Sequence, residues 1–156
     1  MPQKPSLMNT VRFPVELLKE RYAIEEGKVY HGNFACDGSP HKAVVFFVSA
    51  VSAYMFCISS RERTMKWFAK TDCPAAVVEI SAEEARELFP TDTKRSFIYC
   101  GLKNCRKIPI AQMLEGLADG TVSFVRKASD ALMADIRAAV QHSQSYSPDD
   151  LAELGL

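Results

Sequence analysis

HKAVVFFVSAVSAYMFCISSR, residues 41–61, is the stretch whose reading decides the fold. It holds two apolar runs, Ala43–Val48 and Ala53–Ile58, parted by Ser49, Ala50, Val51 and Ser52. Each run has the length of one strand, and Val, Phe, Tyr and Ile suit a pleated, buried surface. A single apolar helix is the competing reading, because periodicity alone does not separate a buried helix from buried strands. A membrane span is disfavoured. The sixteen residues from Ala43 to Ile58 include two serines and fall short of the roughly 20 that a spanning helix needs. The runs are entered through His41-Lys42 and left through Ser59-Ser60-Arg61. The dry middle is expected in the core, with any chemistry at the polar ends.

Working outward, Lys28–Phe34 reads as the preceding strand, and Cys36-Asp37-Gly38-Ser39-Pro40 as its turn. Asp-Gly is a strong hairpin signal. A two-residue turn at Asp37-Gly38 would set Cys36 opposite Ser39, and Asn33 opposite Lys42. Upstream, residues 1–10 read as a loose arm, and Pro14 can open a short helix carrying Val15, Leu18 and Tyr22 that stops at Gly27.

Downstream, Arg61–Lys70 mixes four basic residues and one acid, Glu62, with Trp67 and Phe68. It is the local excess of positive charge near aromatic rings, and Arg63, Lys66 and Trp67 could hold a nucleic-acid backbone and stack a base. The alternative is an exposed loop or short helix with Trp67 or Phe68 tucked into the core. Ala75–Ile80 is a strand candidate. Ser81 with Glu84 three residues on reads as a capping box for a helix ending at Pro90. Ser96–Cys100 and Thr121–Val125 are further short strands around a helix Ile110–Ala118 that stops at Gly120. Ser129 caps a longer helix with Leu132, Ile136, Ala139 and Val140 on one face, and Ser147-Pro148 opens a last one. Five or six strands, the first of them joined by tight turns, favour an antiparallel sheet.

Composition bounds the rest. The chain has 156 residues, 47% apolar and 24% charged, which suits one domain with a real core. Lys plus Arg and Asp plus Glu are 19 each, so a nucleic-acid surface would have to be a local patch. The start lacks the apolar core of a signal peptide, and the cysteines are odd in number. Both point to a cytoplasmic protein. Cys36, Cys57, Cys73, Cys100 and Cys105 form no CxxC pair. His31-x4-Cys36-x4-His41 and Cys100-x4-Cys105 are loose beside structural zinc spacings, so the expectation is no metal and no cofactor. A zinc-stabilised interaction protein using Cys36, Cys73, Cys100 and Cys105 is kept as a third alternative. No GxSxG elbow, Walker loop, GxGxxG or HExxH occurs, which speaks against nucleotide-dependent and zinc-hydrolase chemistry.

The order of parts resembles the PemK/MazF-like endoribonuclease toxins of bacterial toxin–antitoxin pairs, which fold as small SH3-like barrels. The residues carrying the resemblance are Ser39-Pro40-His41-Lys42-Ala43-Val44-Val45 at a strand entry, Ile58-Ser59-Ser60 at the next exit, the strands Val77–Ile80 and Ser96–Cys100, and Ile110–Gly120. Residues 129–154 are similar to the helical extension of divergent members. The resemblance implies an α+β chain forming one domain over residues 1–156, with an SH3-like barrel over 28–127. It also implies metal-independent cleavage of single-stranded RNA, a homodimer and an antitoxin partner. The family's basic residue is typically Arg, whereas this chain offers Lys42, or else Arg61 one strand later. Its exit residue is often Thr, and here it is Ser59 or Ser60. Lys lacks the guanidinium fork that grips phosphate with two bonds, so a non-catalytic RNA- or protein-binding module on the same fold is the alternative.

RNA cleavage by its own 2′-OH needs a proton acceptor and stabilisation of charge on phosphate. On the resemblance, Lys42 and Arg61 hold the phosphate, Ser60 donates to a phosphate oxygen and Ser59 helps bind. His41 is the candidate proton shuttle, since imidazole ordinarily titrates near neutrality. His31 and His142 receive no role. Against each stands an ordinary one: Lys42 as a solvated strand entry, Ser59 and Ser60 as partners of strand-end backbone, and His41 as a turn residue.

Overall fold

The two apolar runs are strands, and both faces of the sheet they build are covered. In a computed structural model, which describes residues 23–35, 37–91 and 94–156, the strands are β1 Lys28–Gly32, β2 His41–Val48, β3 Ser52–Ser59, β4 Val77–Glu79, β5 Phe97–Tyr99, β6 Cys105–Pro109 and β7 Ser123–Lys127. The helices are α1 Glu62–Thr71, α2 Ala82–Leu88, α3 Ile110–Asp119, α4 Asp130–His142 and α5 Pro148–Glu153. No helix among the described residues is long and apolar enough to cross a membrane. The expected arm over 1–10, the helix from Pro14 and Cys36 lie outside the described residues.

Alternation along β2 and β3 explains why they read as continuous apolar runs. Val44, Phe46, Tyr54, Phe56 and Ile58 point to a cluster completed by Leu132, Ile136 and Val140 of α4. Ala43, Val45, Ala53, Met55 and Cys57 point the other way, to a cluster completed by Met113 of α3. A strand buried on both faces loses its polar alternation. Phe46 and Phe56 meet edge to face at 5.6 Å across the β2–β3 ladder. Truncating either to Ala would cost about 3–5 kcal/mol.

All pairings are antiparallel, in the order β4-β5-β3-β2-β1-β7, with β6 pairing on β3 beside this path. The far edge of β3 is shared: β6 takes Ser52 to Phe56, and β5 takes Ile58 and Ser59. Between them the Cys57 carbonyl accepts from Asn104 Nδ2 at 3.2 Å, while the same amide donates to Tyr99 O at 2.8 Å. The split therefore leaves no orphaned carbonyl at Cys57. The end strands β4 and β7 do not pair, so the sheet is open and does not close into the expected barrel. Residues 129–154, expected as an appended extension, put Leu132, Ile136, Ala139, Val140 and Leu154 into the same cluster as the strands.

The β1–β2 connection corrects the expected register. His31, not Asn33, stands opposite Lys42, and Gly32 stands opposite His41. The ladder stops at Gly32 because Phe34 turns its ring into the second cluster, and the Phe34 N–H bonds back to Gly32 O at 2.9 Å. A Cβ at position 32 would sit 2.9 Å from that ring, so glycine makes the room. Pro40 has no N–H to extend the ladder. Gly38, at φ +75°, turns the connecting loop instead.

β6 was missed in the sequence. Its residues CRKIP carry two cations and end in proline, which is how an edge strand reads. α1 resolves the Trp67/Phe68 alternative: Phe68 is half-buried and stacks on Tyr99 with centroids 3.9 Å apart, while Trp67 is 51% exposed.

Candidate functional site

The ends of β1, β2 and β3 form the floor of a hollow of about 250 Å³. Register explains its make-up. His31 stands opposite Lys42. Ala43 stands opposite Cys57, so one further step sets Lys42 beside Ile58, and two steps set His41 beside Ser59. Side chains alternate across a strand. His31, Lys42 and Ile58 thus share the face that carries Val44 and Phe56, and Ser60 returns to that face just past the strand end. Ser59 stands opposite Phe97, which brings Ser60 next to Ser96. Phe89, the residue that ends α2, covers the hollow. His41, Ser59 and Arg61 line it from the lip.

Five of the expected residues, His41, Lys42, Ser59, Ser60 and Arg61, therefore meet in one place. None of the described residues lining it is Asp or Glu, so its fixed charge is positive. The Lys42 ammonium lies 4.4 Å from the Phe89 ring centroid, a cation–π contact that fixes a flexible side chain. The two serines differ. Ser59 Oγ accepts from the Arg61 N–H at 3.1 Å and shapes the turn from β3 into α1. Ser60 is exposed. His41 is held by its turn, with Nδ1 3.3 Å from Ser39 Oγ. Asp37 closes that turn by accepting from the Ser39 N–H at 2.9 Å. Hydrogen bonds from Ser39 hold the Asp37 carboxyl below its usual range, with the His41 charge adding less.

The remaining expected residues lie along α1. Arg63 and Lys66 are exposed and line neither this hollow nor the next one. Lys66 pairs with Glu62 at 3.9 Å. Trp67 borders a second hollow of about 260 Å³, with Phe68, Tyr99, Lys103 and Gln144 in its wall. Lys103 Nζ stands 5.7 Å from the indole. Arg61 and Trp67 are six residues apart on and beside one helix, about 9 Å along its axis.

Sequence reasoning missed His31, Phe89, Ser96 and Lys103. His31 was hidden by the assumed two-residue turn, which put Asn33 in its place. Phe89 looked like ordinary core ahead of Pro90.

Among the described residues, no group of three or more His, Cys, Asp or Glu is placed to hold a metal ion. Burial pushes the Cys105 thiol up to about 12, and the Cys100 thiol is raised for the same reason.

Fold and hollow together define an α+β protein with a cation-bearing lip, without carboxylates among the described residues, at the ends of its central strands. No family model matches the chain, and no curated protein matches it significantly.

Proposed function

We propose that this protein binds single-stranded RNA with one phosphodiester in the strand-end hollow and cleaves it without a metal, as a PemK/MazF-like toxin does. On this reading the open sheet is a divergent version of that family's SH3-like barrel, the active form is a homodimer, and a separate antitoxin restrains it in the cytoplasm. The observation that carries the reading is the meeting of Lys42, Ser60 and Arg61 in one hollow with two imidazoles, His31 and His41, and no described carboxylate.

The chemistry follows from those groups. Lys42 and Arg61 attract the phosphate and stabilise the charge that grows on its oxygens. Ser60 donates to one of them. An imidazole takes the proton of the ribose 2′-OH, whose oxygen bonds to phosphorus as the bond to the 5′-oxygen breaks. Trp67, with Lys103 beside it, offers a stacking surface for a neighbouring base, and Arg63 and Lys66 add long-range attraction.

The test is incubation of the purified protein with single-stranded RNA of varied sequence in a chelator. Cutting that yields 5′-hydroxyl ends is expected. The double variant Lys42→Ala, Ser60→Ala should slow it by about 10²-fold or more, given what one lost oxyanion donor costs. RNA left intact by the wild-type chain rejects cleavage.

One observation favours a second reading, a module that binds RNA without cutting it. Lys42 is a point charge drawn onto the Phe89 ring, which suits holding phosphate better than clamping a transition state. Binding that weakens with salt, with a shallower slope in Lys42→Ala and intact RNA throughout, would select it.

A further inference from the structure

We propose that His31, and not His41, is the group that takes the proton from the ribose 2′-OH in this hollow. The inference rests on the RNA-cleavage reading above and deepens it. Its ground is sheet geometry. His31 stands opposite Lys42 in the β1–β2 ladder, so the two side chains leave the same face. That face carries Ile58, and just past the strand end Ser60. His41 is the next residue after Pro40 and one before Lys42, so its side chain leaves the opposite face and reaches the hollow only at the lip.

Their partners differ as well, though each ring keeps a nitrogen without a hydrogen bond among the described residues: Nε2 on His41, both nitrogens on His31. The His41 ring is engaged by Ser39 at Nδ1, on a turn closed by Asp37. The His31 ring is exposed, and neither nitrogen is engaged by a hydrogen bond among the described residues. The groups facing His31 are Lys42 on β2, Ser123 opposite it on β7, and Arg61 and His41 across the hollow. No described carboxylate stands among them. A base needs a free nitrogen within reach of the phosphate that the cations hold. His31 supplies one beside Lys42.

The step balances within the site. The His31 imidazole gains the 2′-OH proton. The 2′-oxygen forms its bond to phosphorus. The 5′-oxygen leaves with its electron pair and takes a proton from water, and the resulting hydroxide neutralises the imidazolium. The product is a 2′,3′-cyclic phosphate with a 5′-hydroxyl fragment.

The experiment compares wild type, His31→Gln and His41→Gln on one RNA oligonucleotide in chelator, as kcat/KM between pH 5 and 9. Binding of the uncleavable 2′-deoxy oligonucleotide is measured in parallel and also reports that each variant is folded. His31→Gln should lower kcat/KM by about 10²–10⁴-fold and abolish the limb that rises with pH, with 2′-deoxy binding changed by less than about fivefold. His41→Gln should keep that limb, with a loss under about tenfold. A His31→Gln enzyme that cuts RNA as fast as wild type, or a rising limb that disappears in His41→Gln and survives in His31→Gln, overturns this assignment alone. A wild-type chain that cuts nothing overturns it together with the cleavage reading.

Discussion

Ser59 and Ser60 are neighbours of one residue type with different work. Ser59 Oγ accepts the Arg61 N–H at 3.1 Å, so it holds the exit of β3 in shape. Ser60 is exposed beside the hollow. Ser59→Ala should therefore lower stability by about 1 kcal/mol, the usual worth of one such bond, seen as a lower urea midpoint. Ser60→Ala should leave the midpoint within about 0.5 kcal/mol and weaken RNA binding or cutting. Equal effects of both on stability would remove the distinction. This much was half legible beforehand. A dry run that ends in Ser-Ser-Arg announces a polar lip, so His41, Lys42, Ser59, Ser60 and Arg61 could be named from the sequence. Which serine does which job depends on the direction of each side chain at a strand end. His31 was out of reach for a related reason: its place opposite Lys42 is fixed by Phe34 leaving the ladder for the core, a tertiary event that no turn signal records.

The helices show how a local motif can be diverted. Ser81 and Glu84 read as a capping box, and half of it forms: Ser81 Oγ accepts from the Glu84 N–H at 3.2 Å. The Glu84 carboxylate does not return to the cap. It accepts from the Ser129 N–H at 2.8 Å and the Ser129 hydroxyl at 2.5 Å, and so ties α2 to the start of α4. By contrast the box at Ser147 and Asp150 closes fully, where no other element competes. The Glu84–Ser129 tie matters to the site because α2 ends at Phe89, the roof of the hollow. Glu84→Ala and Ser129→Ala should each cost about 1–2 kcal/mol, and the double variant should fall short of their sum by at least about 0.5 kcal/mol. Strict additivity in urea unfolding would show that the two residues act apart. Helix termini and apolar stripes were legible: Ser129, with Leu132, Ile136, Ala139 and Val140 below it, is observed as read. β6 was not, because Arg106, Lys107 and Pro109 break the apolar pattern of a strand whose five residues all pair with β3.

Across the whole molecule, the segment after α4 is bound back to the sheet through Asp72, at the end of α1. Tyr99 OH of β5 donates to its Oδ2 at 2.7 Å, the Ser143 hydroxyl donates to the same oxygen, and the Gln144 N–H donates to Oδ1 at 2.7 Å. Around this clasp, Tyr146 OH donates to Cys100 O at 2.7 Å, and Glu153 receives Tyr54 OH at 2.7 Å and Lys107 at 2.6 Å. None of these long-range pairs has a sequence signature, which is why residues 129–154 read as an extension when Leu154 is in fact core. Burial by itself would raise the Asp72 carboxyl, but the bonds from Ser143, Tyr99 and Gln144 outweigh it and hold the group below its usual range. Tyr99 is pushed the other way, up to about 12, by burial first and by Asp72 second, so it remains a donor at neutral pH. A carboxyl whose value is lower folded than unfolded contributes stability above the unfolded value. That contribution is lost as pH falls through the folded one. Asp72→Asn should therefore destabilise the protein by about 2–3 kcal/mol at pH 7, the scale of a hydrogen bond to a charged group. The gap from wild type should shrink as urea midpoints are repeated downward from about pH 5 to pH 2. A gap of constant size across that range would mean that shape, and not the charge of Asp72, holds the C-terminal segment to the sheet.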